Sequence, residues 1–264
     1  EHTKLEEILT LESLKTDGEI ITSNPKKQLP QLLTPNQQLP NNSISPLEVD
    51  TLAEEIEQTF TEQFIELAGD NNLPIKTVKD TKGLLSDISQ RTGVKPAAVY
   101  TTFLPEKYVP GSSLVRQEKN SDLLNIIIVT AEGQTIRKQI EGATRRKVLR
   151  TANRFTRDIS DSEKANSTRY LTRAKQLYEW LVKPFEAVVQ QLDIKNLMFV
   201  MDPGLRHLPV AALNDGKQFV IEKYSVGLLP SISLTDTRYA GVQNSKVLAM
   251  GSSTFTEDQK QPNL

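Results

Sequence analysis

The chain has two histidines, His2 and His207, and no cysteine among its 264 residues. Histidine is the usual general base at neutral pH, because its ordinary pKa lies there. Without cysteine, these residues offer no thiolate nucleophile, no thiolate metal site and no disulfide. His207 sits in "DPGLRHLPVAAL", within an apolar and turn-rich stretch at 197–231. A Ser-His-Asp arrangement would need a serine on a sharp elbow such as G-x-S-x-G, and that motif is missing. Ser231 and Ser252 are the serines that a His207-based hydrolase would have to use. A metal site would need further strong ligands close by, and only Asp202 is near in sequence. His207 therefore reads first as a turn histidine at the rim of a sheet. No catalytic, cofactor-binding or metal-binding residue is assigned from motif evidence alone. "MGSS" (250–253) after an apolar run could present N–H groups to an anion, but one glycine is not a phosphate loop. Tyr178 and Trp180, at helical spacing, read as core residues and not as cofactor contacts.

A second feature is basic. Arg146, Arg150, Arg154 and Arg157 fall on one side of a helical pattern, with Arg145 and Lys147 flanking. Such a stripe can neutralise phosphates or carboxylates. No aromatic residues interleave with it, and the acidic helix at 48–66 offers counter-charge. A solvated or internally paired face is the plainer expectation, and an acidic or nucleic-acid partner the alternative.

These features must be carried by a folded chain, and composition allows one. Of the residues 37% are hydrophobic and 25% charged, with a formal net charge of −1. Those values suit a globular protein with one large or two modest domains. Near-neutral charge gives no reason to expect a nucleic-acid or membrane partner, and no apolar run approaches the roughly 20 residues that span a bilayer. The compartment stays open: a cytoplasmic or a secreted location both fit.

Along the chain, residues 1–44 read as a linker or disordered segment. Pro25, Pro30, Pro35 and Pro40 recur at intervals of five and forbid regular helix. Ser45-Pro46-Leu47-Glu48 is a capping box with proline at the first helical position. Val49, Leu52, Ile56, Phe60, Phe64 and Leu67 make an apolar stripe, with Glu54, Glu55, Glu57, Glu62 and Glu66 mostly outside it. A helix over 81–90 stops at Gly93, and 97–105 is a β-rich run. Leu123–Thr130 and Thr135–Ile140 form a hairpin about "AEGQ". Helices follow from about Arg145 to Asp158, with Val148, Leu149, Ala152, Phe155 and Ile159 inward, and from Tyr170 to Leu192, broken at Pro184. "NLMFVMD" is a strand covered on both faces. Asn214-Asp215-Gly216 is a tight turn, "QFVIEKYSVGLL" gives one or two strands, and "KVLAMGSS" (246–253) gives another buried-type strand.

That last strand needs neighbours and helices that the following residues, Phe255 included, do not supply. The expectation is a polypeptide that continues, with an α/β sandwich incomplete at its C-terminus.

The final third resembles a known family. A helix ending in "WLVKP" (Trp180–Pro184), the strand Leu197–Asp202, "LRHLPVAAL" (Leu205–Leu213), Asp215-Gly216 and "KYSVGLLPS" (Lys223–Ser231) recur in bacterial CHAT domains, particularly cyanobacterial ones, of the caspase and separase clan. The likeness is specific over about 177–253. Residues 45–160, with "RTGVKPAAVY" and "VTAEGQ", are similar to the region preceding CHAT in such proteins.

The resemblance implies a caspase-like three-layer α/β sandwich: a mainly parallel sheet with β-hairpins and helices on both faces. The expected division is 45–165 as the region preceding or opening a pseudo-caspase lobe, 166–245 as the N-terminal half of CHAT, and 246–264 as the first strand of the catalytic lobe. The family's Cys-His dyad follows the strand matching "KVLAMG", so neither residue can be carried onto this chain, and His207 is not the family's catalytic histidine. The implied function is the structural portion of a cysteine peptidase acting on protein or peptide, partnered by the catalytic remainder. The alternative is a non-catalytic scaffold that docks a protein through a sheet edge or the Arg146, Arg150 and Arg154 face.

Overall fold

Residues 45–68, 74–111, 118–133, 135–161 and 167–235 are described by the computed structural model. The chain divides after Ser43, and the second of its two units begins at Ile44. The Pro-spaced segment, the "KVLAMGSS" strand, Ser252 and Phe255 lie outside the described residues.

Helix α1 spans Pro46–Ala68. Its start is reciprocal: the Ser45 N–H and Oγ both donate to Glu48 Oε2 at 2.7 Å, and the Glu48 N–H reaches back to Ser45 Oγ. That arrangement satisfies donors which a helix end would otherwise leave bare. Helix α2 spans Val78–Thr92, three residues longer at its start than the apolar pattern suggests. Thr77 and Asp80 form a second capping box there, and Gly93 closes the helix at φ 69°, a conformation that favours glycine.

Strands β1 (Pro96–Leu104), β2 (Leu123–Thr130) and β3 (Ile136–Thr144) come next. The expected hairpin is present, with Ile128 opposite Ile136. Strand β3 runs past Ile140 because the register shifts at Leu123/Asn125 and brings Thr144 opposite Leu123. Helices α3 (Arg145–Ser160), α4 (Arg169–Leu181) and α5 (Glu186–Gln191) follow, the last two separated by a 3-10 turn at Lys183–Phe185 where Pro184 interrupts the helix. Strand β4 (Asn196–Met201), the short helix α6 (Val220–Lys223) and strand β5 (Ser225–Leu229) complete the described elements. Four residues of "QFVIEKYSVGLL" are thus helix: the Glu222 carboxylate accepts the Phe219 N–H at 2.5 Å and starts a turn inside a β-rich composition.

The sheet order is β3-β2-β1-β4-β5. Strands β1, β4 and β5 are parallel, whereas β2 and β3 run antiparallel to their neighbours. Among the described residues the sheet is mixed, with two parallel and two antiparallel pairings.

Alternation sorts the strand residues between two cores. Ala97, Val99, Ile126, Ile128, Leu197 and Phe199 face α3, α4 and α5. Ala98, Tyr100, Ile127, Val129, Met198 and Val200 face α1 and α2. Helices therefore cover both faces, as a three-layer sandwich requires. Each fully buried Leu, Ile or Phe contributes roughly 1.5–3 kcal/mol relative to exposure. Val148, Ala152 and Phe155 of α3 are buried as the spacing requires, and Leu149 packs partly buried beside them. Ile159 is not, being 39% exposed at the end of the helix beyond the sheet's reach.

Candidate functional site

Open α/β sheets bind ligands beyond the carboxyl ends of their parallel strands. Asp202 occupies that place, one residue after β4. Its N–H donates to the Thr101 carbonyl on β1 at 2.9 Å, and its Oδ1 accepts the Gly204 N–H at 2.9 Å. Only 3% of it is exposed. Burial pushes its carboxyl up to about 6; Glu118 adds to the rise, while the Gly204 N–H, Arg145 and Arg206 oppose it. Arg145 is ion-paired with Glu118 and lies over the Phe103 ring at 5.8 Å. Arg206 stacks on Phe64 at 4.5 Å and Phe60 at 5.5 Å, and donates to Gln63 Oε1. A carboxyl near 6 can exchange a proton close to neutral pH.

His207 is exposed on the turn after β4 and faces α3 across a groove of about 360 Å³. Among the described residues it has no hydrogen bond and no carboxylate partner. Ser231 is fully buried, its Oγ accepting the Leu234 N–H at 3.1 Å, on the segment that α1 holds. His207 and Ser231 share no hydrogen bond, one side chain being exposed and the other fully buried, and no group of three possible metal ligands occurs among the described residues.

Two polar clusters escaped the sequence reading. Glu57 on α1 is 1% exposed, not on the solvent side of its helix. Its Oε1 accepts the Ser233 N–H at 2.6 Å and its Oε2 the Ile232 N–H at 3.2 Å. Lys76 completes the clamp: its N–H donates to Ser233 Oγ and its ammonium to the Ile232 and Ser233 carbonyls. Tyr100 also bonds to Glu57, and burial first, then that carboxylate, raises its phenol well above the usual value.

The second cluster centres on Lys223 of α6. Its ammonium donates to Glu186 Oε1 at 2.9 Å, Tyr178 Oη at 3.0 Å and Asp215 Oδ2 at 2.5 Å, and Tyr178 donates to Glu186 Oε1 at 2.6 Å. Burial alone would push Asp215 up, but Lys223 and the Gln218 and Lys217 N–H groups hold it at about 2. Tyr178 is a core residue as expected, with its polar tip in this network. Trp180 is buried too, under the Lys147 ammonium at 5.2 Å.

The basic stripe is where the periodicity places it: Arg146, Arg150, Arg154 and Arg157 are exposed on α3. The acidic helix is not its counter-charge, because α1 packs on the opposite face of the sheet.

Residues 171–264 match the CHAT domain. No curated protein matches the chain. The CHAT match likens the C-terminal part of the chain to a caspase-like, peptidase-related module. Strands β4 and β5 fall inside the CHAT match, whereas β1, β2 and β3 precede it in the same sheet. No described helix is long and apolar enough to cross a membrane.

Proposed function

We propose that residues 45–235 are the structural, pseudo-caspase portion of a CHAT-type cysteine peptidase acting on protein or peptide, whose Cys-His dyad lies on a catalytic lobe outside the described residues. With no cysteine in the sequence, the thiolate has to come from residues not in this chain.

The observation that carries this reading is the contrast between the two sheet edges. Strand β3 carries Arg137, Lys138 and Glu141 along "IRKQIEGAT", the charged composition that blunts an edge. Strand β5 is "SVGLL", has no outer neighbour among the described residues and leaves Leu228 47% exposed. An apolar, uncharged edge suits a further strand, and the CHAT match runs on in sequence past β5 to residue 264.

The test is peptide cleavage by the intact natural gene product on a mixed peptide pool, with and without thiol alkylation, and with Leu228→Lys. Cleavage abolished by alkylation and sharply reduced by Leu228→Lys is the expected result. Cleavage indifferent to alkylation, or none at all, overturns it.

A further inference from the structure

We propose that the outer face of α3, with the groove beside it, is a docking site for an acidic polypeptide segment, independent of any peptidase activity.

Charge on α3 is divided by face. Arg145 is paired with Glu118, Lys147 is committed to Trp180 and the Gly142 carbonyl, and the helix's one acid, Asp158, is paired with Arg173. The side chains of Arg146, Arg150, Arg154 and Arg157 have neither a carboxylate nor a hydrogen-bond partner among the described residues, although the Arg146 N–H donates to the Asn120 carbonyl. They stand four, four and three positions apart, so successive guanidinium groups are neighbours on one surface. Like charges at that spacing destabilise a helix, and cations in its first turn oppose its dipole. The helix has no side-chain N-cap bond and no acid in its first turn to offset this. The fold retains an unfavourable charge pattern that a bound external anion would relieve.

The stripe borders a seat. Asn153, Thr156, Arg157 and Ser160 of α3 face Gly204 and His207 across the groove of about 360 Å³. Its walls offer side-chain amide, hydroxyl and guanidinium donors, which suit backbone carbonyls and carboxylates of an extended chain. Ile159 is the one exposed large apolar residue on α3, and no aromatic ring is exposed there. Base stacking, which single-stranded nucleic acid relies on, has no platform on this face. The chemistry fits carboxylates on a peptide.

The test is fluorescence anisotropy of the full chain with labelled deca-glutamate and, separately, labelled decathymidylate. Deca-glutamate is expected to bind with salt-sensitive affinity and to weaken about tenfold or more on Arg150→Glu/Arg154→Glu/Arg157→Glu. A charge-matched reversal at exposed Lys79, Arg91 and Lys107 is expected to bind as the parent does. His207→Ala is expected to weaken binding by a smaller factor. If the triple reversal does not fold, judged by far-UV circular dichroism, Arg150→Gln/Arg154→Gln supplies the same comparison. The proposal is overturned if the parent does not bind deca-glutamate, if the control reversal weakens it equally, if decathymidylate binds as tightly, or if His207→Ala changes nothing.

Discussion

The carboxylate of Glu57 accepts the main-chain N–H of Ser233 at 2.6 Å, joining residues 176 positions apart. One end of this bond precedes the CHAT match and the other lies inside it, next to the Pro-Ser that follows β5. Burying a carboxylate is costly unless its lone pairs are filled, and here main-chain donors fill them.

Glu57→Gln keeps the shape but replaces one acceptor oxygen by a donor facing an N–H. The expected loss is roughly 2–3 kcal/mol of stability, since a buried main-chain donor is left unsatisfied. Amide exchange should quicken at Ile232 and Ser233 while the β1 and β4 amides stay protected, which two-dimensional NMR would read directly.

Asp202 predicts a pH-dependent difference. Its acid is weaker in the folded state, about 6 against an ordinary 3.8, so the folded state binds more protons between those values and stability falls as pH rises through them. The penalty is complete above about pH 6. Asp202→Asn removes the charge while keeping an oxygen for the Gly204 N–H. It should raise the melting temperature at pH 7.5 and leave it nearly unchanged at pH 4; equal gains at both values would contradict this account.

Lys223→Met leaves Glu186 and Asp215 facing each other without their shared cation. Removing one partner of a well-covered ion pair costs roughly 3–5 kcal/mol, and the residual exposure here, 17% for the Lys223 side chain, puts the expectation at the lower end. Asp215 is held below its ordinary range, so its contribution is present above about pH 4 and fades as pH falls towards 2. Acid unfolding followed by circular dichroism should lose part of its steepness in this variant.

Gly204 is a packing constraint rather than a conformational one. A Cβ there would stand 2.9 Å from Leu149 Cδ2 and 3.1 Å from its Cδ1. Gly204→Ala should cost about 1 kcal/mol by pushing α3 from the turn after β4, and Leu149→Ala in the same protein should recover part of it. Additive losses in thermal melts would rule out that contact as the cause.

What the sequence discloses is local. Capping at Ser45–Glu48, the break at Pro184, the Ile128–Ile136 hairpin and the doubly covered β4 each depend on neighbours within a few residues. What it hides is tertiary. Glu57 reads like the other glutamates of α1 until its partners, far along the chain, are in place. The Thr77–Asp80 box is written in the sequence but lies ahead of the apolar residues that mark α2. The helix at Val220–Lys223 contradicts its composition because Glu222 captures a main-chain donor. The supposed pairing of α1 with the arginines of α3 fails for a topological reason, since periodicity does not say which face of a sheet a helix covers. The groove at His207 was equally out of view, being formed only when α3 meets the turn after β4.

Strand β4 hydrogen-bonds along its length to β1, which belongs to the region before residue 171. Cutting the gene at the edge of the recognised family would strip one flank of that strand and bare the apolar floor under α4 and α5. Anyone grafting this module onto another protein must move the preceding 120 or so residues as well, because the matched stretch is shorter than the unit that folds.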